Sequence, residues 1–126
     1  MLGNGLQEKS YLYVGDCVAA ITTALRAHEG NAGDFAVYNL GTDETVVVND
    51  SIAVICEHMG VRPALDYAGG IRGWPGDSPL IHLDCTRMRG LGWAPTLTIK
   101  EAIVRTLRWF DENQYAFERT EAEVTR

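Results

Sequence analysis

Apolar residues recur at helical spacing in several stretches of this sequence, and short β-type runs separate these stretches. This alternation constrains the fold more than any other feature. The longest helical stretch follows Thr98, and its apolar stripe consists of Ile99, Ala102, Ile103, Thr106, Leu107 and Phe110. Glu101 lies three residues after Thr98, which is the spacing of a capping box. We therefore predict a helix that is capped by Thr98 and packs one face against the rest of the chain.

The same periodicity predicts other helices earlier in the chain. Asp16 is a good N-cap for the first of them. Its apolar stripe consists of Val18, Ile21, Thr22 and Leu25. Three potential caps at 49–51 precede a second helix, which Gly60 ends. Asp84 or Thr86 is expected to cap a short helix before the longest one.

Short runs of aromatic and β-branched residues predict strands between these helices. The runs are Tyr11–Val14, Phe35–Leu40 and Val46–Val48, and Ala64–Tyr67 is a further candidate. We expect Phe35–Leu40 to be buried, because five of its six residues are apolar or aromatic. The predicted class is mixed α/β (α+β-like), with about four helices and short strands in one compact unit.

Length and charge restrict the possible functions. The chain has 126 residues, of which 46% are hydrophobic and 22% charged, and its formal net charge is −6. These values fit a single folded domain and argue against disorder. A nucleic-acid binder needs a basic surface, so no nucleic-acid partner is expected. No apolar run approaches the roughly 20 residues of a membrane span, and the N-terminus lacks the features of a signal peptide.

The three cysteines provide no sign of a metal or redox site. Cys17, Cys56 and Cys85 lie far apart, and no Cys-x-x-Cys pair exists. Zinc knuckles and thioredoxin-type motifs both need such a pair. We therefore expect buried, reduced thiols in a cytoplasmic protein, and no metal ligands.

A loop is predicted for residues 69–79, which contain four glycines and two prolines. The glycines at positions 70, 73 and 76 have the spacing of a dinucleotide phosphate loop. However, no helix is predicted directly after them, and Asp77 would place a negative charge where the phosphate should lie. Arg72 could instead bind an anion through its guanidinium group, and Asp77 could accept hydrogen bonds from sugar hydroxyls. A surface ion pair is the alternative interpretation.

Three segments resemble extended short-chain dehydrogenases, the group of NAD-dependent nucleotide-sugar epimerases and dehydratases. Residues 3–16 resemble the family stretch G-x-G-x-Q-x-R-x-(aromatic)-x-(Tyr/His)-V-x-D. Residues 72–88 are similar to the segment R-x-G-D…D-x-(S/T)-(K/R). Residues 91–103 are similar to the terminal L-G-W-x-P…L-x-E-G helix. The segments follow the family's order, cover about residues 1 to 113, and are most similar to enzymes of the UDP-glucose 4-epimerase type.

The resemblance implies that the chain is the small C-terminal substrate lobe of such an enzyme, without a Rossmann domain. It implies that Lys9 and Arg72 contact the diphosphate of a nucleotide sugar and that Asp77 contacts the ribose. Gln7 and Trp74 are further possible substrate-binding residues. Lys9 stands where the family usually has an arginine, so it keeps the charge but lacks the planar fork.

Catalytic residues are not expected in this chain. The chemistry of the family uses Tyr-x-x-x-Lys, but the only lysines are Lys9 and Lys100, and neither follows a tyrosine at that spacing. The chain also lacks the strand, glycine-rich loop and helix that hold NAD in the family. NAD would therefore bind to the other lobe, and we expect no cofactor site and no hydride chemistry in this chain alone.

These expectations divide the chain into a nucleotide-sugar-binding lobe, residues 1–113, and a polar tail or frayed helix, residues 114–126. The expected ligand is a nucleotide sugar, and the expected partner is a missing Rossmann lobe or a separately encoded subunit. An alternative is a stand-alone nucleotide-sugar-binding or assembly module without catalytic activity. A third hypothesis is a homodimer, formed through the apolar surface that would otherwise pack on the Rossmann lobe.

Overall fold

The computed structural model describes residues 1–30, 33, 35–77, 80 and 82–117. Within these ranges the chain forms four helices and one two-stranded sheet, and residues 115–117 are also helical. In chain order the elements are β1 (Glu8–Lys9), α1 (Val14–Ala27), β2 (Val46–Val47), α2 (Val48–Met59), α3 (Thr86–Arg89) and α4 (Ile99–Glu112). The predicted mixed class with short strands is confirmed. No helix in the described ranges is long and apolar enough to cross a membrane.

The sheet joins the N-terminal segment to the start of α2. Strands β1 and β2 are antiparallel, with Glu8 opposite Val47 and Lys9 opposite Val46. The backbone N–H of Val48 continues the pairing by donating to Gln7 O at 3.0 Å. The predicted strand at 46–48 is thus confirmed for its first two residues.

The prediction of a strand at Tyr11–Val14 is wrong. The strand of this region lies earlier, at Glu8–Lys9, where β2 supplies hydrogen-bond partners. Tyr13 is extended, but it serves as the N-cap position of α1, which begins at Val14. Strand propensity therefore identified extended backbone here without identifying the residues that pair.

The predicted side-chain caps of the first two long helices are also wrong. The N-cap residues are Tyr13 for α1 and Val47 for α2, and neither makes a side-chain capping bond. Asp16 lies in the first turn of α1 instead, where its carboxylate accepts Thr96 N–H at 3.1 Å and Thr96 Oγ1–H at 2.6 Å. Asp16 thus joins α1 to the segment before α4 rather than capping its own helix.

The core lies where α1, α3 and the loop after α3 meet. Ala20, Met88 and Trp93 form its buried centre, and the partly buried residues packed on it are Leu12, Ala24, Tyr38, Leu40 and Leu91. The indole N–H of Trp93 donates to the backbone oxygen of Asp16 at 3.0 Å. Because a buried indole N–H needs an acceptor, this bond fixes the loop against the first turn of α1.

The capping box of α4 and the end of α2 are as predicted from the sequence. Thr98 and Glu101 form the predicted capping box, with Thr98 N–H donating to Glu101 Oε2 at 2.8 Å. The helix α4 packs against α2, and His58 Nε2 lies 3.0 Å from Asp111 Oδ2 across this contact. Gly60 ends α2 in the left-handed conformation, with φ of 66°, as predicted.

The prediction of a buried strand at 35–40 is wrong for the chain as it stands. These residues belong to no strand, and the side chain of Phe35 is 90% exposed. The candidate strand at 64–67 is absent as well. Met1 N donates to Asp66 O and Ala68 N donates to Met1 O, but among the described residues this contact contains only an isolated bridge, between Gly3 and Gly69. A strand requires a neighbour with which it forms a continuous ladder of hydrogen bonds, and the described residues form no such ladder with either segment.

Candidate functional site

The glycine-rich loop is anchored to the N-terminal segment of the chain. The N–H of Gly69 donates to Gly3 O at 3.1 Å, and the N–H of Ala68 donates to Met1 O at 2.9 Å. Gly69 has a φ of 79°, which glycine adopts without strain and other residues rarely adopt. The loop thereby turns sharply and runs beside β1.

Asp77 is fixed by the loop on one side and by β1 on the other. Its Oδ2 accepts the N–H of Gly73 at 3.0 Å, and its Oδ1 accepts a hydrogen bond from Lys9 Nζ. The Asp77 side chain is only 9% exposed, and that of Lys9 is 27% exposed. The bond from Lys9, followed by that from Gly73, holds the pKa of Asp77 below its usual value, so Asp77 is a carboxylate at neutral pH.

A cavity of about 420 Å³ opens beside this ion pair. Its lining includes Lys9, Ser10, Thr42, Trp74, Gly76 and Asp77. The cavity thus presents the cation of Lys9, the two carboxylates of Asp77 and Glu8, two hydroxyl groups and one indole ring. That combination suits a ligand with both anionic and hydroxyl groups.

Trp74 forms an exposed aromatic wall of the cavity. Its side chain is 59% exposed. A Cβ atom at Gly76 would lie 2.3 Å from Cζ3 of Trp74, so the indole packs directly on the backbone of Gly76. The glycine therefore holds the ring against the loop while the other face of the ring remains open.

Arg72 and Gln7 lie outside the cavity lining, although the sequence grouped them with Lys9, Trp74 and Asp77. Arg72 is exposed, and none of the ion pairs in the described ranges includes it. It still lies close enough to Asp77 to favour the ionised carboxylate. Arg72 therefore stands at the edge of the site rather than in it.

Gln7 is buried behind the loop. It is 7% exposed, and a Cβ at Gly3 would lie 1.9 Å from its Nε2 atom. Gly3 and Gly73 both leave room for this amide, because a Cβ at Gly73 would also lie 3.6 Å from Nε2. Its Oε1 has no hydrogen-bond partner among the described residues. This placement favours a role in supporting the loop.

Ser10 and Thr42 are lining residues that the sequence analysis missed. Ser10 directly follows Lys9 at the end of β1, and Thr42 follows Gly41 in the segment between α1 and β2. Position next to a candidate ligand-binding lysine could have indicated Ser10. Thr42 had no such signal, because it reaches the cavity only through the tertiary fold.

The described residues do not fit NAD or a metal ion. Among the residues described after the segment 70–77, the first helical one is Thr86, so no described helix begins directly after the loop. The carboxylate of Asp77 occupies the loop where a pyrophosphate would need N–H donors. Within the described ranges, no three His, Cys, Asp or Glu residues are grouped so that they could hold a metal ion.

The geometry can be compared with that of known proteins. No protein-family model matches the chain. Human dTDP-D-glucose 4,6-dehydratase is 30% identical over 123 residues, which cover 94% of this chain and 34% of the human protein. A structure of UDP-glucose 4-epimerase from Thermotoga maritima with UDP-glucose is 28% identical, with a TM-score of 0.73, and the match covers 90% of this chain and 35% of the epimerase. A UDP-galactose 4-epimerase structure is 35% identical, with a TM-score of 0.65 and coverage of 79% and 32%.

These similarities show which proteins the chain is related to. The chain is a homologue of the NAD-dependent nucleotide-sugar epimerases and dehydratases, as the resemblance of its sequence implied. More particularly, its fold matches the C-terminal part of the epimerase and dehydratase structures. The chain spans about a third of the length of the relatives it matches.

Proposed function

We propose that this chain is the substrate-binding part of an NAD-dependent nucleotide-sugar epimerase or dehydratase, and that the cavity beside Lys9 and Asp77 receives the nucleotide sugar. The observation that carries the proposal is the cavity itself. In a chain homologous to nucleotide-sugar enzymes, it brings together Lys9, Asp77 and Trp74, three of the five residues that the sequence assigned to the substrate. The Thermotoga relative is described with UDP-glucose, a ligand of this chemistry.

Lys9 and Arg72 would bind the diphosphate. The ammonium group of Lys9 has three donors, so it can keep its bond to Asp77 and still donate to a phosphate oxygen. Arg72 is exposed beside the same loop, and its planar fork suits two phosphate oxygens at once. A small movement of this one side chain would therefore complete the cationic side of the site.

Asp77 would orient the ribose. Its two oxygens each accept one hydrogen bond in the structure, from Lys9 and from Gly73. A carboxylate has about four acceptor sites, so sites remain for a sugar hydroxyl. Because two bonds fix the carboxylate before the ligand arrives, little side-chain entropy is lost on binding.

Trp74 would stack on a ring of the ligand. One face of the indole lies on Gly76, and the side chain is more than half exposed. Stacking of a base on an aromatic side chain contributes roughly 1–3 kcal/mol in single-stranded nucleic-acid binding, and similar contacts are available here. Trp74 would thus add affinity without reading one base or sugar specifically.

The chemical step belongs to another part of the parent enzyme in this proposal. NAD would supply the redox chemistry there, as other structural relatives are described with NAD. The residues described here bind, orient and neutralise the substrate. They include no Tyr-x-x-x-Lys arrangement, so catalysis by this chain alone is not expected.

Isothermal titration calorimetry tests the proposal on two proteins. One is the 126-residue chain, and the other is a chimaera in which the first two-thirds of the Thermotoga epimerase precede it. UDP-glucose, dTDP-glucose, GDP-mannose and UDP alone are the probes. We expect at least one sugar nucleotide to bind, and Arg72→Ala to weaken binding about tenfold or more, because a charge-assisted contact is worth roughly 1.5–3 kcal/mol.

Arg62→Ala is the matched control, because Arg62 is exposed but does not line the cavity. Lys9→Arg should tighten binding, since it restores the planar fork. The proposal is wrong if neither protein binds any of the probes, or if Arg72→Ala binds as tightly as Arg62→Ala.

Tryptophan fluorescence assigns the role of Trp74 separately. The other two tryptophans are Trp93, which is buried, and Trp109, which lies on α4. Binding should quench the emission of the unchanged protein but not of Trp74→Phe, which should retain most of the affinity. Trp74→Ala should bind several-fold more weakly. Equal quenching in the unchanged protein and in Trp74→Phe would remove Trp74 from the site.

A further inference from the structure

Gln7 is a buried polar residue behind the candidate site. It is 7% exposed, and its Oε1 is the only buried side-chain nitrogen or oxygen in the described part of the chain that lacks a hydrogen-bond partner. An unpaired acceptor in the interior lowers the stability of a protein, whereas an apolar side chain of the same shape does not. Such groups are rare in native proteins, so this one requires an explanation. We therefore expect the amide of Gln7 to do more than fill space.

Gly3 lets this amide reach the glycine-rich loop. A Cβ atom at Gly3 would lie 1.9 Å from Gln7 Nε2 and 3.1 Å from the backbone oxygen of Arg72. Because residue 3 has no side chain, the amide nitrogen and this oxygen can share the same small space. A Cβ at Gly73 would also lie 3.6 Å from Nε2. The donor end of the amide therefore faces the peptide group that joins Arg72 to Gly73.

The same peptide group is bound to Asp77 through its N–H. The N–H of Gly73 donates to Asp77 Oδ2 at 3.0 Å, and Oδ1 of this carboxylate accepts from Lys9 Nζ. The peptide is trans, so its C=O and its N–H point in opposite directions. A donor at the oxygen and an acceptor at the hydrogen would hold the peptide plane from both sides. The orientation of this one peptide group therefore affects where Arg72 and Asp77 point.

We propose that Gln7 is a positioning residue of the candidate site, and that its Nε2 donates to the backbone oxygen of Arg72 when the ligand binds. The inference rests on the proposed function, in which Arg72 moves towards the diphosphate and Asp77 receives the ribose. In the free protein the two atoms lie close together without a hydrogen bond between them. The movement of Arg72 would thus have only a short gap to close.

This hydrogen bond would couple the two halves of the site. Hydrogen bonds in a chain polarise one another, so donation to the oxygen of Arg72 would strengthen the bond from Gly73 to Asp77. Gln7 would thereby link the cation that binds the diphosphate to the carboxylate that binds the ribose. It would do so without touching the ligand, since it lies outside the cavity lining.

A purely structural role is the alternative. If Gln7 only filled the space that Gly3 and Gly73 leave, then stability and affinity would change together in its variants. The positioning role predicts that they change independently, because the bond to Arg72 forms only in the complex. Removal of the amide then takes nothing from the free protein except an unpaired acceptor.

Isothermal titration of Gln7→Met tests the inference on the full chain and on the chimaera described above. The ligand is UDP-glucose, or whichever of the probes named above binds most tightly. Methionine has nearly the length and volume of glutamine but no donor. We expect binding to weaken about fivefold, as for the loss of one neutral hydrogen bond, while the midpoint of urea denaturation stays the same or rises.

Gln114→Met is the matched control. Gln114 is the only other glutamine of the chain, and it is exposed and lies outside the cavity lining. It should change neither affinity nor stability. The inference is overturned if Gln7→Met binds as tightly as this control, or if its affinity and its stability fall together.

Two further measurements show whether Gln7 acts through the loop. In a protein that already carries Arg72→Ala, adding Gln7→Met should weaken binding by about twofold or less, because the residue that it orients is gone. Saturating ligand should slow amide exchange at Gly73 about tenfold in the unchanged protein and by less than about twofold in Gln7→Met. Additive losses of affinity, or equal slowing in both proteins, would contradict the positioning role.

Gln7→Glu allows rescue by the most conservative change. At pH 8 its carboxylate has no donor and would face the backbone oxygen of Arg72, so binding should be more than about tenfold weaker. Near pH 5 the protonated carboxyl can donate its O–H in place of Nε2, and burial raises the pKa of such a group. Affinity should then return to within about threefold of the unchanged protein at the same pH. An equal deficit at both pH values would show that a donor at this position has no role.

The outcomes separate this inference from the proposed function. If the unchanged chain and the chimaera bind none of the probes, the proposed function is wrong and the role of Gln7 is rejected with it. If they bind a sugar nucleotide and Gln7→Met binds it equally well, only the role of Gln7 is rejected.

Discussion

The two faces of α1 have opposite surroundings. On the inner face, Asp16 is 4% exposed and Ala20 is fully buried, and both lie against the segment around Trp93. On the outer face, Ile21 and Leu25 are more than half exposed. The helix thus buries its small and polar residues in this chain and leaves its large apolar residues outside.

This distribution of side chains shows which face of α1 stabilises the chain. Ala20 and Ala24 allow Met88 and Tyr38 to approach the helix closely, so the inner face can be sealed by a few side chains. Large apolar residues on the outer face contribute little to stability until another surface covers them. The inner contact therefore stabilises this chain, whereas the exposed apolar residues of the outer face add little to its stability.

The largest difference between the two faces should come from Met88→Ala. Met88 is fully buried in the core that the inner face of α1 helps to form, so its truncation leaves a cavity. We expect the free energy of unfolding to fall by about 3 kcal/mol, measured by urea denaturation. Met59→Ala is the control, because Met59 is 59% exposed and should change stability by less than about 0.5 kcal/mol. Equal losses in the two variants would contradict the assigned core.

Asp16→Ala should have the next largest effect. It leaves two donors of Thr96, the backbone N–H and the hydroxyl, without their buried acceptor. A loss of about 2 kcal/mol is expected, since a hydrogen bond to a charged group contributes roughly 1.5–3 kcal/mol. Asp50→Ala is matched to it, because Asp50 also lies in the first turn of a helix but is exposed. If Asp50→Ala destabilises the chain as much, the helix dipole and not the Thr96 contact explains the effect.

Local chemistry made some elements predictable from the sequence. The capping box at Thr98 and Glu101 is complete within four residues, so no distant contact can change it. The glycine that ends α2 likewise acts through its own backbone conformation. Asp84, one of the two predicted caps of α3, accepts the N–H of Thr86 at 2.9 Å, but the N-cap residue is Cys85 and makes no side-chain capping bond, so this cap prediction is wrong. These interactions depend on neighbouring residues alone.

Predictions that depended on distant partners were wrong. Asp16 looks like an N-cap in the sequence, but its acceptors are used by Thr96, which lies 80 residues away. Residues 35–40 have strand propensity, but no described strand lies beside them. Strand propensity shows that a segment can adopt an extended conformation, but it forms a strand only where a neighbouring strand pairs with it.

In the candidate site, too, some residues lie where the sequence predicted and others do not. The sequence placed Lys9, Trp74 and Asp77 at one site, and the structure brings these three to one cavity. Arg72 lies at its edge, and Gln7 supports the loop from behind. The residues of the loop are neighbours in the sequence, so a motif can predict that they lie close together. The direction of each side chain depends on tertiary packing, which a motif does not encode. The roles of these residues toward a ligand remain predictions.

Leu25→Ser on the outer face should change the stability of the chain alone very little. The side chain is 68% exposed, so its replacement should alter the free energy of unfolding by less than about 0.5 kcal/mol. In the chimaera the same change should lower stability by more than that, because we expect the fused epimerase part to cover Leu25. Urea denaturation of both proteins measures the difference. Identical small changes in both would show that Leu25 stays exposed in the chimaera.

The smallest expected effect is the acid dependence of the Lys9–Asp77 pair, which belongs to neither face of α1. Bonds from Lys9 and Gly73 lower the folded pKa of Asp77 below its usual value of 3.8. The pair therefore adds stability at pH values above 3.8, and this contribution is lost as the pH falls through the folded pKa. In Lys9→Met the pKa should rise towards 3.8, and the loss of stability in acid should become shallower. Carboxyl NMR titration measures the pKa directly.

Glu101 is the control in the same spectra, because its pKa is lowered by bonds with Thr98 and should not respond to Lys9→Met. An unchanged pKa of Asp77 would show that Gly73 and Arg72, and not Lys9, hold the carboxylate in its ionised form.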